Sequence, residues 1–89
     1  MPMSTMHPPA DAALNAAMTQ MNRSMGSARM TGNADHDFLV MMISYHQGAV
    51  DMCRVELHYG RNPKILALCH DIIASQSSQI QEMKQLLRQ

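Results

Sequence analysis

From Met41 to Cys53 the chain reads Met-Met-Ile-Ser-Tyr-His-Gln-Gly-Ala-Val-Asp-Met-Cys, which crowds thioethers, an imidazole and a thiol into one short stretch. Met42 and His46 are four residues apart, as are Met41 and Tyr45, so on a helix each pair shares a face. Donors rich in sulfur and poor in carboxylate suit soft, closed-shell ions: Cu(I), and Ag(I) by the same argument. A thioether stays neutral at every pH and forms no disulfide, so it remains a donor where thiolates are oxidised. Any single methionine is accounted for as a flexible filler of irregular cores. Eleven in 89 residues need a further cause. As a set they point to metal binding.

A soft ion draws its ligands from more than one element. Leu14, Met18, Met21 and Met25 follow a 4-3-4 spacing that puts all four on one helical stripe, so Met18, Met21 and Met25 are further candidate donors. The expected metal set is therefore Met42, His46 and Met52, then Met41, Met18, Met21 and Met25. His36 and His58 fall near opposite ends of their helix, His70 lies beside Asp71 on a helix flank, and His7 belongs to the N-terminal tail. These read as surface histidines.

Other chemistries find little support. Di-metal oxidases of the four-helix type need Glu-x-x-His pairs, but Glu56 is followed three positions on by Tyr59, and Glu82 by Gln85. Neither a Gly-rich phosphate loop nor a nucleophile elbow is present. His46 and Cys53 are seven residues apart, about 10 Å along a helix, too far for direct proton transfer. A non-enzymatic protein is expected. Seven Lys and Arg balance seven Asp and Glu, and only Phe38, Tyr45 and Tyr59 are aromatic, which disfavours nucleic-acid binding. The longest apolar run, Phe38 to Ile43, is far short of the ~20 residues that span a bilayer. No basic segment followed by an apolar stretch marks a signal peptide, as in a mature secreted chain given a new initiator methionine.

The elements that position these groups are helical throughout. Residues 1–9, with three prolines, read as a flexible tail whose Met3, Met6 and His7 form an arm. Residues 10–89 read as one helical domain. A first helix is predicted over Ala10–Met25, stopped by Gly26, with a loop over Ser27–Asn33. A second opens near Asn33 or Asp35 and runs to Tyr59, with Gly60 just beyond. Pro63 suits the first turn of a third helix ending near Leu87. On the second helix Phe38, Met41, Tyr45, Gly48, Met52, Val55 and Tyr59 predict a buried seam, with Met42, His46, Ala49 and Cys53 as the stripe beside it. Gly48 is expected to admit a neighbouring helix or a bound ion. The third helix's inner face is predicted as Ile65, Cys69, Ile72, Gln76, Ile80, Met83 and Leu87. The fold class is all-α, three helices per chain with a long antiparallel hairpin. Three amphipathic helices leave an apolar side uncovered, so a homo-oligomer, most simply a dimer, is expected.

Cys53 and Cys69 do not form a Cys-x-x-Cys pair, but each lies about eight residues from the turn at Arg61-Asn62. An antiparallel hairpin sets them at similar height, as a disulfide or as thiol ligands for metal.

Two stretches resemble a bacterial secreted family, the domain of unknown function numbered three hundred and five, whose members include copper-binding proteins of the CopM type. Its run M-I-x-H-H-x-G-A-[IV]-x-M is matched by Met42 to Met52, and its later run I-I-x-x-Q-x-x-[EQ]-I-x-x-M by Ile72 to Met83. With Asp37-Phe38 and the Met-bearing first helix, the resemblance covers about Met18 to Leu87. It implies a ferritin-like helical bundle, export to the periplasm, and Cu(I) or Ag(I) binding for metal tolerance. For a protein of that role a metal-efflux or metallochaperone partner is expected. Tyr45 replaces the first of the family's paired histidines, and Cys53 and Cys69 are unusual for it. The alternative is a metal-independent helical oligomerisation module whose methionines only pack.

Overall fold

A computed structural model describes residues 9–89 and consists of three α-helices: α1 (Pro9–Gly26), α2 (Ala34–Tyr59) and α3 (Pro63–Leu87). The all-α class and the long antiparallel hairpin are as expected. The expected N-terminal arm, with Met3, Met6 and His7, lies outside the described residues.

Local chemistry sets the helix ends. Asn33 caps α2, its side chain accepting the His36 N–H at 3.1 Å, with Asp35 and Asp37 in the first turn, where they suit the helix dipole. Asn62 caps α3 by accepting from the Lys64 and Ile65 N–H groups at 2.9 and 3.3 Å, and Pro63 follows in the first turn, where its missing N–H costs nothing. α1 ends at Gly26, but the left-handed conformation is taken in the loop, by Gly32 (φ 86°).

That loop is tied down by one carboxylate. Asp37 accepts the Thr31 N–H (3.1 Å), the Thr31 hydroxyl (2.9 Å) and the Gly32 N–H (3.2 Å), and its Oδ1 lies 3.3 Å from His36 Nδ1. Partial desolvation pushes the Asp37 carboxyl up. Hydrogen bonds from the Thr31 backbone and hydroxyl, His36 and Gly32 outweigh it and hold the group below the ordinary 3.8.

The packing is a single layer. α2 lies in the middle, with α1 against one flank and α3 against the other, and α1 and α3 do not touch. The molecule measures 52 × 28 × 13 Å, little more than one helix thick. Ser24 Oγ meets Ser44 Oγ at 3.0 Å, and Met21 covers Gly48, so α1 runs antiparallel to α2. On the other flank His46 Nε2 meets Gln79 Oε1 at 2.8 Å, and Cys53 faces Cys69. Among the described residues the buried apolar ones are few: Val50, Cys53, Cys69, Ile80 and Met83, with none from α1.

This corrects the predicted seam. Phe38, Tyr45 and Tyr59 are 60%, 51% and 41% exposed, while Gly48 is buried and Met41, Met52 and Val55 are half-buried. The residues of α2 that are buried, Ser44, Gly48, Val50 and Cys53, point to its two flanks. On α3 Cys69, Ile80 and Met83 are buried as expected, but Ile65 is 46% exposed. An apolar stripe is spaced to face something, and here the Phe38, Tyr45 and Tyr59 side of α2 stays largely open.

Asp37→Asn should lower the melting temperature at neutral pH by loosening the Thr31–Gly32 turn. The folded pKa lies below the unfolded one, so the carboxylate's contribution is present above the ordinary 3.8 and is lost as the pH falls through the folded value. The gap between wild type and variant should therefore close on acidification. Melting curves followed by circular dichroism at several pH values check this, and a gap independent of pH would contradict it.

Candidate metal centre

The sequence-predicted donors fall into two grooves. Met21 packs its side chain onto Gly48, where a Cβ would stand 2.8 Å from Met21 Cγ and 3.1 Å from Met21 Cβ. Gly48 thus admits a neighbouring helix, one of its two expected uses. Continuing that register by a turn in each direction brings Met18 level with Met52 and Met25 within a turn of Met41. Met18 is 49% exposed, and Met21, Met25, Met41 and Met52 are half-buried. By this register Met18, Met21 and Met25 of α1 and Met41 and Met52 of α2 are spaced along the same seam.

Met42 and His46 belong to the second groove, between α2 and α3, and both are half-buried. Gln79 Oε1 lies 2.8 Å from His46 Nε2, so with the ring as donor the proton sits on Nε2. Nδ1 is then the free lone pair, and Gln79 orients the ring as an outer-shell partner orients a metal-ligating histidine. Met52 does not join this pair. It lies six residues beyond His46, about 9 Å of helix rise, and is turned toward α1.

Gln79 is the functional candidate that sequence reasoning missed. Gln76 is the one amide in the predicted inner face of α3, yet the amide that meets the histidine is three residues further on, at the edge of that stripe. The serine pair Ser24–Ser44 was missed as well. His36, His58 and His70 are exposed, and His58 stacks edge-on against Tyr59 with ring centroids 4.5 Å apart. Among the described residues, no three His, Cys, Asp or Glu side chains gather as a metal site. A centre at the sequence-predicted positions would draw on thioethers. Thioethers with one neutral imidazole match Cu(I) and Ag(I) in softness.

Cys53 and Cys69 stand at the same height, as the hairpin count predicts, and are free and buried. Burial first, then the Cys69 thiol and the Glu56 carboxylate, push the Cys53 thiol up to about 12. The neutral thiol is the stable form at physiological pH, which makes Cys53 a poor nucleophile.

Compared with known proteins, residues 1–87 match the family described as Domain of unknown function (DUF305). No curated protein matches the chain.

Two experiments follow from this geometry. Gly48→Ala should destabilise the protein by about 1 kcal/mol, because the about 1–3 kcal/mol cost of overpacking against Met21 exceeds the roughly 0.5–1 kcal/mol gained in helix propensity. In a Met21→Ala background the same substitution should be neutral or stabilising, and urea titration of the four proteins measures the coupling. Separately, Cys53 in the native protein at pH 8 should react with iodoacetamide at least about a hundredfold more slowly than in denaturant, since little thiolate exists there. Mass spectrometry over time gives both rates, and similar rates would show that the thiol is not shielded.

Proposed function

Because the chain belongs to the DUF305 family and carries its soft donors outside its core, we propose that it binds Cu(I) or Ag(I) through methionine and histidine and sequesters or hands on the ion. One observation supports this most. Of the eight methionines among the described residues, Met83 alone is buried, while Met18, Met21, Met25, Met41, Met42 and Met52 stay accessible along the two grooves of α2. Methionines that served only to fill this chain's core would lie with Val50 and Ile80.

The ion is cargo. Met42 and His46 form the primary donor pair, with Gln79 holding the imidazole, and Met52, Met41, Met18, Met21 and Met25 supply further thioethers. The protein acts by binding, with no catalytic step. Its place is the periplasm, where thioethers outlast thiolates as donors, and it works as a homo-oligomer, most simply a dimer. A metal-efflux component or a metallochaperone is the partner this role requires. No described helix is long and apolar enough to cross a membrane.

Adding Ag(I), or Cu(I) under reductant, should raise the melting temperature, since an ion that binds only the folded state stabilises it. Met42→Leu keeps the packing volume and removes the donor, and His46→Ala removes the imidazole. Each should weaken binding at least about tenfold, because water replaces these donors poorly for a soft ion. His58→Ala should change little. Isothermal titration with Ag(I) and native mass spectrometry read both affinity and stoichiometry. Wild-type protein that gains neither stability nor mass would end the metal reading.

A further inference from the structure

The single-layer packing leaves two broad faces, and they differ sharply. On α2 the residues that meet α1 (Ser44, Gly48) and those that meet α3 (His46, Cys53) lie roughly 170° apart around the axis. One side between them carries His36, Gln47, Asp51, Arg54 and His58. The other carries Phe38, Met41, Tyr45, Met52 and Tyr59, with Glu56 its one charged residue. Phe38, Tyr45, Met52 and Tyr59 recur every seven residues, and they include all three aromatic residues of the chain.

Both neighbours extend this apolar side. α1 and α3 run antiparallel to α2, and all helices are right-handed. Rotating about each axis from its contact with α2, Leu14, Met18 and Met25 of α1 and Leu68, Ile72 and Leu86 of α3 fall on the face that carries Tyr45. The surface agrees. Leu14, Met18, Leu68 and Leu86 are 38%, 49%, 55% and 46% exposed, and at one end Phe38 and Leu86 share a depression of about 390 Å³ with Asp35, Leu39 and Gln89.

We propose that this thioether and aromatic face is closed by the same face of a second copy, two three-helix layers stacking into a six-helix dimer. Two features favour a second copy over another occupant. The layer outline is 52 Å by 28 Å, roughly 1,450 Å², well above the ~800 Å² per partner of a standard specific interface. Along α2 the face carries one charged residue, Glu56, while Asp11 of α1 and Lys64 and Glu82 of α3 fall toward its outer edges, so an apolar centre with a charged rim of both signs can meet its own copy. A seven-residue aromatic repeat suits packing against a second helix of similar pattern. The proposal deepens the metal reading, on which its second half rests: stacking brings the thioethers of Met18, Met25, Met41 and Met52 from both copies to one buried plane.

Sedimentation velocity of the full chain without added metal tests the interface. Wild type should sediment as a dimer at micromolar concentration. Tyr45→Glu and Met52→Glu, on the apolar face, should weaken association at least about tenfold while keeping the helical circular dichroism signal. Gln47→Glu and Arg54→Glu, on the polar face, should leave the dimer intact. A second readout needs no variant. With ¹³C-methyl methionine, the Met18, Met41 and Met52 signals should shift on dilution while that of buried Met83 stays. Monomeric wild type, dimerisation broken only by the polar-face variants, or binding to phosphatidylglycerol vesicles in place of self-association would each overturn the interface. Ag(I) titration keeps the two readings apart. A dimer that binds no Ag(I) sinks the metal reading alone, and a monomer that binds Ag(I) sinks the interface alone.

Discussion

One central helix supports two neighbours that never touch each other, and this constraint shapes the rest of the molecule. A helix that packs on opposite flanks cannot also wrap its partners around a shared centre. The enclosed volume is then limited to two seams, which is why so few apolar side chains are fully buried. Each seam is narrow where small groups permit it: Ser24 on Ser44 and Met21 over Gly48 on one flank, the two thiols on the other. Short chains bury a modest share of their surface in any case. The flat arrangement reduces that share further and leaves the apolar side of α2 open.

The helix ends were legible because their causes are local. Asn33, Asn62 and Pro63 act within one turn of their own position, and the predicted boundaries agree with the observed ones to within a residue or two. The inner faces were only half legible. α2 carries two stripes at helical spacing, and periodicity says that each faces something without saying what. The stripe of Met42, His46, Ala49 and Cys53 turned out to face α3. The stripe with Phe38, Tyr45 and Tyr59, read as the buried seam, is the open one. Nothing in the chain before folding distinguishes a stripe meant for a neighbouring helix from one left outside.

The candidate site divides in the same way. Donor types were legible from the sequence, because softness is a property of the side chain alone. Their grouping was not, because it depends on which flank each helix occupies. The register of α1 on α2 collects Met18, Met21, Met25, Met41 and Met52, while the hairpin sets Met42 and His46 apart beside Gln79. The Asp37 network is a related case. An acidic residue in a first turn reads as a partner for the helix dipole, and its further role of gathering the Thr31 and Gly32 donors exists only once the loop has folded back.

Methionine suits a surface that must both pack and bind. Leucine in the same positions would bury as much area and offer no lone pair, and a histidine or cysteine would bind but bring polarity or redox chemistry to an interface. The thioether's flexible chain also lets one residue adopt a packing rotamer without ion and a ligating one with it. If the same thioethers line both the dimer plane and the metal site, the two equilibria are linked. An ion held more tightly by the dimer than by the monomer strengthens the dimer by the same factor, because coupling between two binding events is reciprocal. Ion capture then tightens association, and separating the copies weakens the hold on the ion. Under the proposed metal and dimer readings together, dissociation of the copies would itself be the release route, without any moving lid.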